Sequence, residues 1–131
     1  DAPIGVDVER IHDSFDIREM AEGVLASGEL SRVMSLPPRE RRGAFFTYWT
    51  RKEAVLKATG EGLSVPLAGV EVSGPGEDAR LLSLSHHPRL VGQIALFDLN
   101  PGPGYRAALA LLRASGVKVR ELDGGGILRS R

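Results

Sequence analysis

The chain has 131 residues, of which 42% are hydrophobic and 26% are charged, so we expect one globular domain with a single core. Its 17 lysines and arginines balance its 17 aspartates and glutamates, which argues against nucleic acid or an anionic membrane as a partner. The absence of cysteine excludes disulfides and thiolate metal sites and fits a cytoplasmic location, and no apolar run reaches the roughly 18 residues of a membrane span.

The first predicted element is a strand over residues 4–11, where apolar and polar residues alternate. The period of two places Asp7 and Glu9 on one face, about 7 Å apart along the strand. If this face is a solvent-facing sheet edge, the two carboxylates are ordinary surface charges. If it is enclosed, their oxygens are ligands of the kind that Mg²⁺ prefers. The strand by itself leaves both interpretations open.

The middle of the chain is predicted to be helical. Residues 16–26 form a helix that Gly28 ends, and residues 31–36 form a short turn. A long helix begins at residues 37–38, because proline is tolerated in a first helical turn, and it ends at Gly60.

The long helix carries charges on its apolar side. On a wheel with 100° per residue, Lys52 and Glu53 lie within a broad apolar arc and Lys57 lies on its rim. A carboxylate in that position needs a cation, a metal or hydrogen bonds. Glu53 and Lys57 are four residues apart, so an ordinary helical ion pair is one explanation and a functional site is the other. The opposite side of the wheel carries Thr47, Thr50, Arg51 and Ala54.

The second half of the chain is predicted to consist mostly of strands, joined by turns at residues 74–78 and 100–104. The strands are expected at residues 69–73, 80–85, 90–99, 105–112 and 117–122. His86 and His87 are followed by proline and have no third ligand at a useful spacing, so we interpret them as a loop.

This order of elements predicts an α+β domain in which a small, mostly antiparallel sheet packs on the long helix. We expect residues 1–122 to form the domain and residues 123–131, which are Gly-rich and Arg-tipped, to form a flexible tail.

The strand and the long helix can combine into one site. If the apolar arc of the helix packs on the sheet, Glu53 joins Asp7 and Glu9 in an oxygen-only site for Mg²⁺. Lys57, one turn further along, would then reach a substrate phosphate. This arrangement is typical of phosphoryl transfer, in which the protein mainly positions the metal, the phosphates and the nucleophile.

Two motifs carry a resemblance to a known family. GVDVE at residues 5–9 and WTRKEAVLKATGEGL at residues 49–63 resemble, in this order and separation, the signature pair of the 4′-phosphopantetheinyl transferases. The tryptophan before KEA, GLSVPL at residues 62–67 and GYRAALAL at residues 104–111 resemble the surfactin-synthetase-activator branch, which serves polyketide and nonribosomal peptide synthesis in secondary metabolism.

The resemblance implies a Mg²⁺-dependent enzyme that moves phosphopantetheine from coenzyme A to a serine of an acyl or peptidyl carrier protein. By motif position, Asp7, Glu9 and Glu53 correspond to the metal ligands. Glu53 also corresponds to the proposed general base for the serine. Lys57 corresponds to a lysine that contacts coenzyme A phosphate and assists the leaving group, and Lys52 is expected to support it on the phosphate side.

The branch departs from this chain in one respect. Its members consist of two similar halves with the active site between them, and this chain begins where the second half begins. We therefore expect a C-terminal half that keeps the metal ligands and lacks part of the coenzyme A pocket. Its apolar partner face would be covered by the N-terminal half or by self-association. An acidic carrier would dock on the arginines at residues 39–42 and on Arg10 and Arg18.

Two alternatives remain open. The short holo-acyl-carrier-protein synthases also begin with this strand and form homotrimers with sites between subunits. A non-catalytic binding module is the second alternative, in which Asp7 and Glu9 are surface charges and Glu53 pairs with Lys57.

Overall fold

The computed structural model describes residues 3–61, 64–112, 118–121 and 127–130, and the last two segments are described by their backbone. A strand and three helices precede six strands. In chain order the elements are β1 (Ile4–Arg10), α1 (Ile17–Val24), α2 (Ser27–Met34), α3 (Pro38–Thr59), β2 (Val70–Val72), β3 (Leu81–Leu84), β4 (Ile94–Leu99), β5 (Tyr105–Leu112), β6 (Lys118–Glu121) and β7 (Ile127–Ser130). Short 3₁₀ turns at Leu67–Gly69 and Pro88–Gln93 lead into β2 and β4.

The strands form antiparallel pairs only. In the described ranges, β5 lies between β1 and β4 in a three-stranded sheet, and β2–β3 and β6–β7 are separate two-stranded hairpins. The predicted α+β fold with small antiparallel sheets beside a long helix is confirmed. The single sheet of the prediction is instead divided into three, because the β2–β3 hairpin packs against α3 without hydrogen bonding to β4.

Helix α3 lies at the centre of the molecule. Pro38 occupies its first turn, and Gly60 ends it in the left-handed conformation at φ 79°. The predicted apolar arc is buried, but so are Thr50, Arg51 and Ala54 on the opposite side of the wheel. The expectation of a polar side is therefore wrong, because β2 and β4 contact α3 in addition to β1 and β5.

Strand β1 packs directly on the backbone of α3 at Gly5. A Cβ atom added to Gly5 would lie 2.1 Å from the carbonyl oxygen of Ala54 and 2.4 Å from the amide nitrogen of Ala58. This close approach turns the face of β1 that carries Gly5, Asp7 and Glu9 towards the helix. The apolar face of the same strand is left outside, with Ile4, Val6 and Val8 exposed by 43%, 36% and 52%.

The helical region before α3 differs from its prediction. Helix α1 ends at Val24, and α2 contains Gly28, which was expected to end a helix. The carboxylate of Glu29 accepts a hydrogen bond from the amide of Ala26 and so caps the start of α2. One glycine costs a helix only about 1 kcal/mol, which this cap and the burial of Val33 offset.

Two further segments differ from their predictions. Residues 90–93, expected as strand, belong to the 3₁₀ turn that begins at Pro88, where proline has no amide hydrogen to donate to a sheet. Residues 127–130, expected as part of a tail, form β7 and pair with β6. The remainder of the predicted tail, residues 123–126 and 131, lies outside the described residues.

Candidate active site

Asp7 is the most enclosed carboxylate of the candidate site. It lies on the helix-facing side of β1 and is only 5% exposed. Its Oδ1 accepts a hydrogen bond from Lys57 Nζ at 2.8 Å. Its Oδ2 is buried and, with the neighbouring carboxylates ionised, has no hydrogen-bond donor among the described residues. A buried, unpartnered carboxylate oxygen is costly, and either a proton shared with Glu9 or a bound cation would offset that cost.

Glu9 lies two residues further along the same face. Burial, the hydrogen bond to Asp7, and the charges of Asp7 and Glu53 raise the pKa of Glu9 from 4.5 to about 7, while Lys57 opposes the shift. Asp7 and Glu53 therefore both act on the charge of Glu9, Asp7 more strongly, while the convergence of the three carboxylates on a metal stays a prediction. The alternative of a solvent-facing sheet edge is wrong for Asp7, which is buried. Glu9 is partly buried, so it is not an ordinary surface charge either.

Lys57 is paired with β1 and not with its own helix. Its ammonium donates to Asp7 Oδ1 and to the carbonyl of Val6, at 2.8 and 3.2 Å, and its side chain is 49% exposed. The hydrogen bond to Asp7 raises the pKa of Lys57, burial lowers it, and the charges of Asp7, Glu53 and Glu9 raise it further. Because about half of the Lys57 side chain is exposed, a bound anion could approach it from solvent.

Two carboxylates of this site, those of Asp7 and Glu9, are of the kind that could hold a divalent metal. In the parts of the chain that the structure describes, no three acidic or histidine side chains converge at metal-ligand spacing. Mg²⁺ is usually held by one or two carboxylates and completes its shell with water and substrate phosphate. Asp7 and Glu9 meet that requirement, with Glu53 close enough to act on the charge of Glu9.

Lys52 is not brought to this site. Its ammonium is fully buried and donates to the carbonyls of Val24 and Leu67 at 2.7 and 3.2 Å, and it is ion-paired with Glu29. Burial lowers the pKa of Lys52, and the Glu29 charge opposes that shift. A phosphate cannot reach this ammonium without displacing buried partners, so the phosphate-side role expected for Lys52 finds no support in the geometry.

Arg51 is a buried residue whose role the sequence did not indicate. Its guanidinium, in a side chain only 1% exposed, forms a bidentate pair with Asp98 at 2.8 and 2.6 Å and donates to the backbone of the β2–β3 turn. On the helical wheel Arg51 lies opposite the apolar arc, so its position gave no sign of burial. Its partner Asp98 is 47 residues away in the chain, and no local pattern connects the two.

Trp49 packs within an aromatic cluster. Its ring stacks on Phe46 at 5.8 Å and meets Phe45 edge-on at 5.5 Å, and Phe15 contacts both phenylalanines. The cluster joins α3 to the segment that follows β1, and so stabilises the neighbourhood of Glu9. These ring contacts join Trp49 to its own helix, and its side chain is partly buried against the core.

The arginines expected to dock a carrier lie at the start of α1 and α3. Arg18, Arg41 and Arg42 line a depression of about 260 Å³, the basic basin, together with the apolar Ile17 and Met34 and the acidic Asp16. Arg41 donates to the carbonyl of Leu36 at 2.9 Å, and Arg42 lies over the Phe15 ring at 5.0 Å. Arg39 and Arg106 line a neighbouring cleft of about 630 Å³.

His86 and His87 lie in the loop between β3 and β4, as expected. His86 Nε2 lies 2.5 Å from Glu61 Oε1, which links that loop to the end of α3. Within the described segments, no helix is both long enough and apolar enough to cross a membrane.

Comparisons with known proteins identify the family of the chain. A family model described as the 4′-phosphopantetheinyl transferase superfamily matches residues 3–110. The chain is 38% identical over 79 residues to the 4′-phosphopantetheinyl transferase HetI of Nostoc sp., covering 60% of this chain and 33% of that protein. It is 32% identical over 124 residues to the 4′-phosphopantetheinyl transferase psf-1 of Bacillus pumilus, covering 93% of this chain and 50% of that protein. The chain thus spans between a third and a half of the length of these relatives.

Two solved structures share the fold. A holo-(acyl-carrier-protein) synthase from Bacillus anthracis in complex with CoA (3′,5′-ADP) superposes with a TM-score of 0.66 at 22% identity, covering 86% of this chain and 96% of that one. The Thermotoga maritima holo-[acyl-carrier-protein] synthase superposes with a TM-score of 0.63 at 20% identity, covering 92% of this chain and 69% of that one. At these identities the likeness concerns the fold.

Proposed function

The chain belongs to the 4′-phosphopantetheinyl transferase superfamily, and from this premise we propose that it provides the metal-binding part of an enzyme that transfers 4′-phosphopantetheine from coenzyme A to a serine of a carrier protein. The observation that carries the proposal is the buried Asp7 Oδ2, which has no hydrogen-bond partner among the described residues. The same carboxylate lies beside Glu9, whose pKa is raised to about 7, and its other oxygen is paired with Lys57. The negative charge of the carboxylates would attract a metal ion, and the ammonium of Lys57 would attract the diphosphate that the metal also binds.

Asp7 and Glu9 would hold Mg²⁺, with Glu53 as a third ligand directly or through water. When bound, the metal supplies positive charge that draws electrons from the diphosphate of coenzyme A. The role of the protein is to present these carboxylates already gathered on one side of β1 and α3. Their repulsion in the absence of metal is the free-energy cost that binding would relieve.

Lys57 and Glu53 would handle the phosphate and the proton. The Lys57 side chain is about half exposed, and its ammonium would exchange part of its contact with Asp7 for a diphosphate oxygen. Glu53 would accept the proton of the serine hydroxyl, directly or through water, as the serine oxygen bonds to phosphorus. The phosphorus–oxygen bond of the diphosphate breaks, and adenosine 3′,5′-bisphosphate leaves with the electron pair.

A surfactin-synthetase-activator type of enzyme, with this chain as its second half, is the finer form of the proposal. Trp49 before the KEA triplet and the match to a third or a half of longer relatives support it. A homo-oligomer of the short synthase type is the second candidate. It is favoured by the solved synthases of similar size and by the exposed apolar face of β1.

An acyl or peptidyl carrier protein would dock on the basic basin. Arg18 and Arg41 line the basin together with the apolar Ile17 and Met34, and acyl and peptidyl carrier proteins are acidic. Reversing both charges, Arg18→Glu with Arg41→Glu, should raise the Michaelis constant for the carrier at least tenfold and leave that for coenzyme A unchanged. Arg89→Glu, an exposed reversal outside the basin, is the control, and an unchanged Michaelis constant in the double variant would remove the basin from the proposal.

The decisive test is mass spectrometry of an apo carrier protein incubated with this chain, coenzyme A and Mg²⁺. A gain of one phosphopantetheine unit that Glu53→Ala abolishes and the exposed Asp78→Ala preserves would support the proposal for the chain alone. If no gain occurs, the same reaction is repeated with the N-terminal half of a relative added. Absence of transfer in both reactions, with no Mg²⁺ binding by calorimetry, would favour a non-catalytic module.

A further inference from the structure

Three consecutive residues of α3 point in three different directions. Successive residues of a helix are 100° apart, so Arg51, Lys52 and Glu53 divide the circumference between them. The first two are buried cations, with 1% and 0% of their surfaces exposed. The third is the carboxylate of the candidate site. Each buried cation is bonded to elements on its own side of the helix.

On one side, Arg51 holds the β2–β3 turn and β4. Besides its bidentate pair with Asp98, it donates to the carbonyls of Ser73, Gly74 and Glu77 at 2.7, 3.0 and 3.1 Å. All its contacts are directional, and three of them end on backbone. A rotation of α3 about its axis would lengthen several of them together.

On the other side, Lys52 holds the end of α1, the start of α2 and the entry to β2. Its ammonium binds the carbonyls of Val24 and Leu67 and the carboxylate of Glu29. Glu29 also accepts from the amides of Ala26 and Val72, at 2.8 and 3.0 Å. The buried pair is thus connected to fixed backbone at four points.

We propose that Arg51 and Lys52 form a two-sided clamp that sets the rotation of α3 and thereby positions Glu53 and Lys57 against β1. The catalytic part of this inference rests on the proposed function. A buried ion pair is weak evidence for stability, because apolar residues of equal volume often serve as well. Positioning explains why charged residues with several fixed acceptors occupy both places.

The geometry makes the site sensitive to this rotation. A carboxylate about 6 Å from the helix axis moves by about 1 Å when the helix turns by about 10°. A displacement of about 1 Å at reacting groups can cost about 10²-fold in rate. The Lys57–Asp7 contact of 2.8 Å would be broken by the same movement.

The test is a double variant, Lys52→Met with Glu29→Gln, which removes both buried charges and keeps their approximate volumes. Leu84→Ala is the matched control, since Leu84 is 1% exposed and lies at the end of the β2–β3 hairpin remote from the Arg51 contacts. Crystal structures of both variants measure the rotation of α3 and the Lys57–Asp7 distance. Transfer assays measure kcat and the Michaelis constant for coenzyme A.

We expect the double variant to rotate α3 relative to β1, to lose the Lys57–Asp7 contact, and to lower kcat about 10²-fold with a Michaelis constant within about threefold of wild type. The control should keep the contact and most of kcat. An unrotated α3 with the contact retained overturns the clamp, whatever the activity. An inactive wild-type chain would count against the proposed function only, because the crystal structures still decide the clamp.

If the double variant does not fold, Asp98→Ala replaces it. The Asp98 side chain is 48% exposed, so its removal loosens the Arg51 side while Arg51 keeps its carbonyl acceptors. A smaller rotation of α3 in the same assay supports the clamp, and an unmoved α3 overturns it.

Discussion

At the scale of single residues, the candidate site is defined by an imbalance of charge. Asp7, Glu9 and Glu53 bring three carboxylates to one side of α3, and Lys57 supplies one ammonium. The neighbouring Lys52 does not neutralise these carboxylates, because it forms an ion pair with Glu29 elsewhere in the core. Titration and metal binding at this site are therefore coupled, and the coupling can be measured.

The pH dependence follows from Glu9. Its folded-state pKa of about 7 lies above the ordinary 4.5, so the folded chain holds this proton more tightly than the unfolded chain does. The contribution of Glu9 to stability is full below pH 4.5 and is lost as the pH rises through about 7. Without divalent metal, thermal unfolding should show this loss, and Glu9→Gln should flatten the pH profile.

Metal binding should show the opposite trend. With a pKa of about 7, Glu9 is about one tenth ionised at pH 6 and about nine tenths ionised at pH 8. Because only the ionised carboxylate is a ligand, the apparent Kd for Mg²⁺ should be about tenfold weaker at pH 6 than at pH 8. Calorimetry at the two pH values measures this, and equal affinities would show that Glu9 is not a ligand.

Lys57 should affect metal binding and catalysis in opposite directions. Lys57→Met frees Asp7 Oδ1 from its ammonium partner, so the affinity for Mg²⁺ alone should rise severalfold. The same variant should lower kcat by at least about tenfold, because it removes the cation that would contact the phosphate. Lys57→Arg, which keeps the charge, is the control. A fall in both quantities would instead indicate a purely structural ion pair.

At the scale of elements, the site depends on direct packing of β1 on α3. Residues on the helix-facing side of β1 alternate with the apolar residues outside, so Gly5 and Asp7 share a face. Gly5 permits the contact because it has no Cβ, and Asp7 reaches Lys57 one strand repeat further along. The contact between Asp7 and Lys57 therefore depends on the close approach of the β1 and α3 backbones.

Gly5→Ala should separate β1 from α3. The new Cβ would meet backbone atoms at 2.1 and 2.4 Å, which side-chain rotation cannot relieve, so we expect a loss of about 2–3 kcal/mol in the free energy of unfolding. Affinity for Mg²⁺ should fall as well, because Asp7 moves with the strand. Gly23→Ala is the control: Gly23 lies in α1 with no atom within 4 Å of its Cβ position, and alanine there should be neutral or stabilising. Denaturant unfolding of both variants measures the difference, and a neutral Gly5→Ala would contradict the tight contact.

At the scale of the whole molecule, the sheet has two unlike faces. The face towards α3 carries the site, and the outer face of β1 presents Ile4, Val6 and Val8 to solvent. An exposed apolar strip along an edge strand is typical of an interface. We propose that the N-terminal half or a second copy of the chain covers it, on the face of β1 opposite to the carboxylates.

A charge on this strip should reduce self-association. Val6→Lys would bury an ammonium in any interface formed by β1, so light scattering after gel filtration should show a shift towards monomer. Leu82→Lys on β3, where Leu82 is 44% exposed, is the control for an apolar surface residue outside the strip. A wild-type chain that is already monomeric at high concentration would exclude self-association and leave the N-terminal half as the proposed partner.

Most of the elements could be predicted from the amino-acid sequence, because their signals are local. The alternation in β1, the proline start and glycine end of α3 and the turns that join β2 to β3 and β4 to β5 all appeared at or near their predicted places. The motifs also singled out Asp7, Glu9, Glu53 and Lys57, which the fold brings to one side of β1 and α3. Where the signal was mixed, as at Gly28, the prediction was wrong because a side chain from the next turn supplied the cap.

Which charges meet could not be predicted from the sequence, because it is set by the packing of distant elements. Lys52 and Lys57 lie five residues apart in the same motif, yet one is fully buried with Glu29 and the other is half exposed beside Asp7. The wheel placed Arg51 on a polar side, but β4 brings Asp98 to it from 47 residues away. The partner of a helical side chain is set by the element that packs on its side of the helix. That packing depends on contacts distant in sequence, which no local pattern contains.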